Sequence, residues 1–148
     1  MKTAICYYSR HHGNTLKVLQ AMAEEGDIDL IDVTTRQAVS LEDYDCVGFA
    51  SGVYFGKFHE GVTAFARQYL PLGKPVFFRL HVWRGEGKWL QGTDGDRGGK
   101  GLTSAQHIWL PGYDTLGPWK LVGGIAMGHP STRDLHKARA FCRKIQNG

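Results

Sequence analysis

Ser9, Asn14 and Thr15 bracket Gly13 directly after the apolar run Ala4-Ile5-Cys6-Tyr7-Tyr8. Two hydroxyls, an amide and a glycine between a strand-like run and a helical one are the parts of an anion cradle. The hydroxyls and the amide donate hydrogen bonds, and glycine lets backbone N–H groups converge. The following helix adds roughly half a positive charge at its open end. Such a nest holds a phosphate without a metal. It has neither the GxxxxGK[ST] pattern of a P-loop nor the GxGxxG of dinucleotide folds. A plain turn into a helix capped by Asn14 or Thr15 uses the same residues. Arg10, His11 and His12 lie inside the loop, where they face solvent or bias it toward anions. The adjacent histidines are not followed by acidic or cysteine ligands at zinc spacing, so no metal site is expected.

A second cluster, Ser51-Gly52-Val53-Tyr54-Phe55-Gly56-Lys57-Phe58-His59, follows another apolar run, Cys46 to Ala50. Aromatic side chains at a strand end stack on planar ligands, with Lys57 or His59 near an electron-rich edge; equally, Tyr54 and Phe55 can simply cover the sheet edge. A phosphate cradle at one strand end and an aromatic loop at the next point to a flavin-shaped ligand. The turn-rich Pro111 to Trp119 segment lines the same crevice through Tyr113 or Trp119, or else anchors the last helix. Asp114 and His129 lack a spaced serine or cysteine partner that would compel a hydrolase reading.

These residues need elements to carry them. Leu16, Leu19 and Ala23, with Val18 and Met22 beside them, give a helix, and Val62, Phe65, Ala66 and Tyr69 give a second. Ser131 and Asp134 form a capping box ahead of a stripe of Leu135, Ala138, Phe141 or Cys142, and Ile145. Strands are expected at 4–8, 30–33 and 46–50, with a fourth starting at Val76-Phe77-Phe78. Alternating strands and helices predict an α/β fold with a parallel sheet covered on both faces. Ligands in such folds bind beyond the carboxyl ends of the strands, where the strand order reverses. From Trp83 to Gly101 the pattern stops: glycines at 85, 87, 92, 95, 98, 99 and 101 interrupt any helical stripe, and the stretch reads as coil.

The 148 residues suit one domain, and 42% hydrophobic with 22% charged residues is an ordinary globular composition. Cys6, Cys46 and Cys142 are far apart with no CxxC, which reads as buried thiols rather than redox or metal ligands. The net charge of +4 is dispersed along the chain, against nucleic-acid binding. No apolar run reaches the ~20 residues that span a bilayer, and the N-terminal run lacks a cleavage region, so a cytoplasmic location is expected.

The segments Tyr7 to Thr15, Gly48 to Lys57 and Pro111 to Gly124, with Gly128-His129-Pro130 before the capped helix, resemble the flavodoxin family, in particular its short members. The resemblance covers about residues 1–78 and 102–148. It implies a doubly wound parallel sheet of order 2-1-3-4-5 in a single domain 1–148, and FMN bound non-covalently for single-electron shuttling between redox partners. It further implies that Ser9, Arg10, His11, His12, Gly13, Asn14 and Thr15 hold the phosphate. Ser51, Gly52, Val53, Tyr54, Phe55 and Gly56 would approach the ring, with Tyr54 or Phe55 stacking on it. The departure is at residues 79–101, where the family places a small-residue loop and a fourth helix; here Arg79 to Gly87 replaces the loop, and Trp83 is left to stack on the ring. That stretch also has the composition of one translated out of frame between two compensating shifts, which the coding DNA would reveal. Two other functions fit the same resemblance: a flavodoxin-fold protein without productive flavin binding, and an NAD(P)H-dependent flavin or quinone reductase. The net charge favours acidic redox partners.

Overall fold

The computed structural model describes residues 1–10, 13–35, 39–54, 57–71, 76–83, 104–111 and 128–147. Positions 53–54, 57–58, 76–83 and 104–111 are described by backbone and register. In chain order the described elements are β1 (Thr3–Tyr8), α1 (Asn14–Ala23), β2 (Ile28–Asp32), β3 (Cys46–Tyr54), β4 (Lys57–Phe58), α2 (Glu60–Tyr69), β5 (Val76–Trp83), β6 (Ser104–Pro111) and α3 (Thr132–Asn147).

The sheet order is β2-β1-β3-β5-β6, and every neighbouring pair on that path is parallel. Short β4 folds back antiparallel on β3, pairing Val53 with Phe58 and Tyr54 with Lys57. The chain reverses direction across the sheet between β1 and β3: β2 lies on one side of β1, and the later strands continue on the other. Ile5 faces Leu30 across one ladder and Gly48 across the other.

Alternation along the central strands sorts side chains to two cores, because successive residues of a strand point to opposite faces. Ile5, Cys46 and Ala50 meet α1 and α3 through Val18, Leu19, Met22, Ala138, Cys142 and Ile145. Ala4, Cys6, Val47 and Phe49 meet α2 and its approach through Val62, Phe65, Ala66 and Leu41. Helices thus cover the β2-β1-β3 part of the sheet on both faces. Parallel strands buried this way carry near-continuous apolar runs, which is why β1 and β3 are recognisable by composition alone.

Three departures from the sequence reading are informative. The buried residues of α1 are Asn14, Thr15, Val18, Leu19, Ala21 and Met22, with Leu16 and Ala23 only partly covered. The 51–59 segment, read as a loop, extends β3 to Tyr54 and returns through β4. Strand β2 runs Ile28–Asp32, starting two residues and ending one residue before the expected 30–33. The coil expectation for Trp83–Gly101 falls outside the described residues beyond Trp83, which ends β5.

On α3, the capping box forms. Ser131 Oγ accepts from the Asp134 N–H at 3.4 Å, and the Asp134 carboxylate accepts from the Ser131 N–H at 2.8 Å and its hydroxyl at 2.7 Å. Arg139 pairs with Glu24 at 2.6 Å and Arg143 with Glu25 at 2.7 Å, which tethers the later turns of α3 to the end of α1. These pairs are partly exposed, so each contributes well under about 1 kcal/mol, and the apolar contact between the helices dominates.

All three cysteines are free and buried. Burial pushes the Cys6 thiol up to about 12 and the Cys46 and Cys142 thiols up to about 11. A thiol so far from ionisation is a poor nucleophile. The native protein is therefore expected to resist a thiol-modifying reagent at neutral pH and to take up label at all three positions on unfolding in denaturant. Rapid stoichiometric labelling of the folded chain would contradict this packing.

Candidate functional site

The carboxyl ends of β1 and β3 lie side by side, with Tyr8 registered opposite Ser51. Beyond β1 the chain passes Ser9 and Arg10 and enters α1 through Gly13, whose φ of +64° is left-handed backbone that suits glycine. A Cβ added at Gly13 would meet nothing within 4 Å, so the space over its Cα is open. The first internal helical bond runs from the Lys17 N–H to the Gly13 carbonyl at 2.9 Å. Earlier N–H groups belong to the open end of the helix. One of them is latched: the Leu16 N–H donates to Ser9 Oγ at 3.2 Å, bridging seven residues.

This latch corrects the capping expectation in one respect. Gly13 holds the N-cap position and no side chain of that residue can cap, so the hydroxyl comes from Ser9 rather than from Asn14 or Thr15. Asn14 and Thr15 are instead buried, at 6% and 3% exposure. The serine hydroxyl accepts from Leu16, and a hydroxyl that accepts can also donate its own hydrogen. A tight glycine turn, an open helix end and a hydroxyl with a hydrogen to give are a donor set that suits a phosphate. Arg10 is exposed, with its guanidinium 5.9 Å from the centre of the Tyr8 ring. His11 and His12 lie outside the described residues.

Toward the carboxyl end of β3, three residues before Tyr54, Ser51 is fully buried. Its hydroxyl donates to the Gly52 carbonyl at 2.7 Å and accepts from the His59 N–H at 3.1 Å. Val53 and Tyr54 complete β3, and the register of β4 folds this tip back toward α2. Phe55 and Gly56 lie outside the described residues, as do Tyr113, Asp114 and Trp119. Trp83 is the last residue of β5, registered opposite Pro111 at the same edge of the sheet. The backbone therefore brings the ends of β1, β3 and β5 to one edge, carrying Ser9, Ser51 and Trp83 with them. Among the described residues no group of three or more His, Cys, Asp or Glu could hold a metal ion.

Two features escaped the sequence reading. His59 stacks on Tyr8 with ring centres 3.4 Å apart and planes 10° from parallel, and its Nδ1 accepts from the Gly61 N–H at 3.1 Å. The signal was present as a histidine two residues before a glycine at the start of an apolar helical stripe, where an imidazole nitrogen can cap. The second is a partner for His129: its Nδ1 lies 2.6 Å from the Asp134 carboxylate. Ser131 also binds that carboxylate rather than the imidazole, so the three side chains are an oriented cap and not a nucleophile with its base.

The fold has known counterparts. A family model described as a flavodoxin domain matches residues 4–79, just over half of the chain. The chain belongs to the flavodoxin domain family. Its match stops where the glycine- and tryptophan-rich stretch begins. An uncharacterized protein of Methanocaldococcus jannaschii is 32% identical over 153 residues, covering 98% of both chains. A solved structure, titled as that of a flavodoxin from the domain Archaea, superposes with a TM-score of 0.61 at 18% identity, covering 99% of this chain and 97% of the other. That likeness extends the shared fold beyond the residues matched by the family model. No described helix is long and apolar enough to cross a membrane.

Three substitutions test the entry to α1. Gly13→Ala meets no steric obstacle, so its cost is backbone strain alone, about 1–2 kcal/mol, and Gly13→Asn costs less because asparagine tolerates that conformation. Ser9→Ala removes the acceptor for Leu16 and lowers stability by about 1 kcal/mol. Denaturant unfolding reads all three, and a neutral Gly13→Ala would contradict the left-handed turn.

Asp134 carries a pH signature. Burial by itself raises its pKa, but the Ser131 hydroxyl and N–H and the His129 imidazole outweigh burial and hold the carboxyl below its ordinary range. The stabilisation is thus present in full above the unfolded value of about 4 and is lost as pH falls through the lower folded value. Asp134→Asn is expected to lose about 1–3 kcal/mol at pH 7, with the gap to the parent closing in acid. A gap that stays constant down to about pH 2 would contradict these contacts.

Proposed function

We propose that this flavodoxin-family chain binds FMN non-covalently and carries single electrons between redox partners. The observation that carries the proposal is the end of β1. There, a left-handed glycine with open space above it leads into a helix end that Ser9 has already latched. That arrangement lies beside the buried Ser51 toward the end of β3. In a parallel α/β sheet this is the edge at which ligands bind, next to the reversal of strand order.

Ser9, Arg10, His11, His12, Gly13, Asn14 and Thr15 hold the phosphate in this reading. The hydroxyls and backbone N–H groups of the turn donate to its oxygens, while Arg10 supplies positive charge. Ser51, Gly52, Val53, Tyr54, Phe55 and Gly56, with Trp83, provide the ring end. FMN, when bound, supplies the one-electron chemistry, which belongs to the cofactor. The chain's own part is to bind and orient it, to exclude water, and to present it to a partner. The +4 net charge favours acidic redox proteins as those partners. A second nucleotide site is not evident in the sequence, so a separate reductase, rather than NAD(P)H directly, delivers the electrons.

The visible spectrum of the protein purified without added cofactor, followed by titration with FMN, tests this reading. Flavin bands that co-purify, or saturable quenching of FMN fluorescence at one equivalent, are expected. A colourless protein that leaves FMN fluorescence unchanged would favour the flavin-free alternative. Steady NADPH consumption with a quinone acceptor would instead identify a reductase.

A further inference from the structure

His59 lies where three pieces of the site edge meet. Its backbone N–H donates to the buried Ser51 hydroxyl toward the end of β3. Its ring stacks face to face on Tyr8, the last residue of β1. Its Nδ1 accepts from the Gly61 N–H and so caps α2. Gly61 makes the approach possible: a Cβ there would stand 3.1 Å from Nδ1 and 3.2 Å from Cε1 of the ring.

An imidazole nitrogen that accepts a hydrogen bond carries no proton, so the cap requires the neutral ring with its hydrogen on Nε2. Protonation would set an N–H against the Gly61 N–H and place a positive charge at the positive end of α2. Among the described residues, the charged and titratable groups that meet this ring are Tyr8 and Arg10 from the β1 side and Glu60 from α2, while β3 offers the uncharged Ser51. Burial favours the neutral form, Glu60 opposes it, and Arg10 adds to burial, leaving the pKa below the usual imidazole value.

We propose that neutral His59 is a positioning residue that holds Ser51 of β3 and the start of α2 against the end of β1, and that its protonation releases this hold and weakens ligand binding at the shared edge. For the identity of the ligand this rests on the FMN reading; the hold itself does not. Stability obeys the same sign. A folded pKa below the unfolded value of about 6.5 gives stabilisation that is present above that pH and is lost as pH falls through the folded value.

The test pairs an NMR titration of the flavin-free protein with FMN affinity measured over the same range, about pH 8 to 5. The His59 ring signals are expected to titrate below the ordinary imidazole midpoint, with the Ser51, His59 and Gly61 amides moving at the same midpoint. FMN affinity should fall by up to about tenfold per pH unit below it, the limit when only the neutral form binds. FMN's own phosphate takes up a proton near pH 6, so the comparison is with His59→Asn, which can still cap α2 but cannot titrate. The parent should lose affinity more steeply than His59→Asn, and Gly61→Ala, which crowds the ring, should weaken the coupling. Equal pH profiles for parent and His59→Asn would overturn the proposal, as would amides that ignore the His59 titration. Failure of the parent to bind FMN at pH 8 would overturn the cofactor reading; the amide titration would then decide the hold alone.

Discussion

Strand β1 is hydrogen-bonded on both sides and buried on both faces, and that double constraint fixes where the candidate site can be. Ala4, Ile5 and Cys6 have no exposed surface. With β2 on one side and β3 on the other, neither strand can slip by a residue without turning its apolar face to the wrong core. Tyr8, the last residue of β1, must therefore lie opposite Ser51, and β3 runs on for three more residues to Tyr54. A strand confined this strictly makes a rigid base for loops that handle a ligand.

The two loops solve the same problem with different chemistry. After β1, backbone conformation does most of the work: Gly13 turns left-handed and Ser9 reaches across to the open end of α1. After β3, side chains do it: Ser51 bonds the His59 N–H, and the His59 ring closes onto both Tyr8 and α2. A backbone turn holds at any pH, whereas an imidazole cap depends on its protonation state. The Gly13 turn is in this sense built to be constant, and the contact between Ser51, His59 and Tyr8 to respond.

Much of this was legible in the residues. β1 and β3 show as continuous apolar runs because both faces are buried, and α3 shows as a capping box followed by a stripe. The left-handed turn at Gly13 shows through its residue type. Part of what was not legible depends on partners distant in sequence. Nothing near His59 indicates that its ring will lie on Tyr8, since that contact exists only once β1 and β3 pair. The Ser9 latch was hidden by two better-looking caps, Asn14 and Thr15, which are buried instead. The return of β4 on β3 was missed because two-residue strands carry no period. His129 has its partner five residues away, in Asp134 on the first turn of α3, a spacing that signals a cap and not a catalytic pair.

The central claim is that the turn from Ser9 to Thr15 grips a phosphate. Comparing the affinities of FMN and riboflavin for the protein, together with the phosphorus-31 signal of FMN, tests it most directly. The account predicts that FMN binds far more tightly than riboflavin, that its phosphorus signal is displaced on binding, and that the amides of Gly13 to Leu16 shift with it. Equal affinity for the two flavins, with an unmoved phosphorus signal, would contradict it.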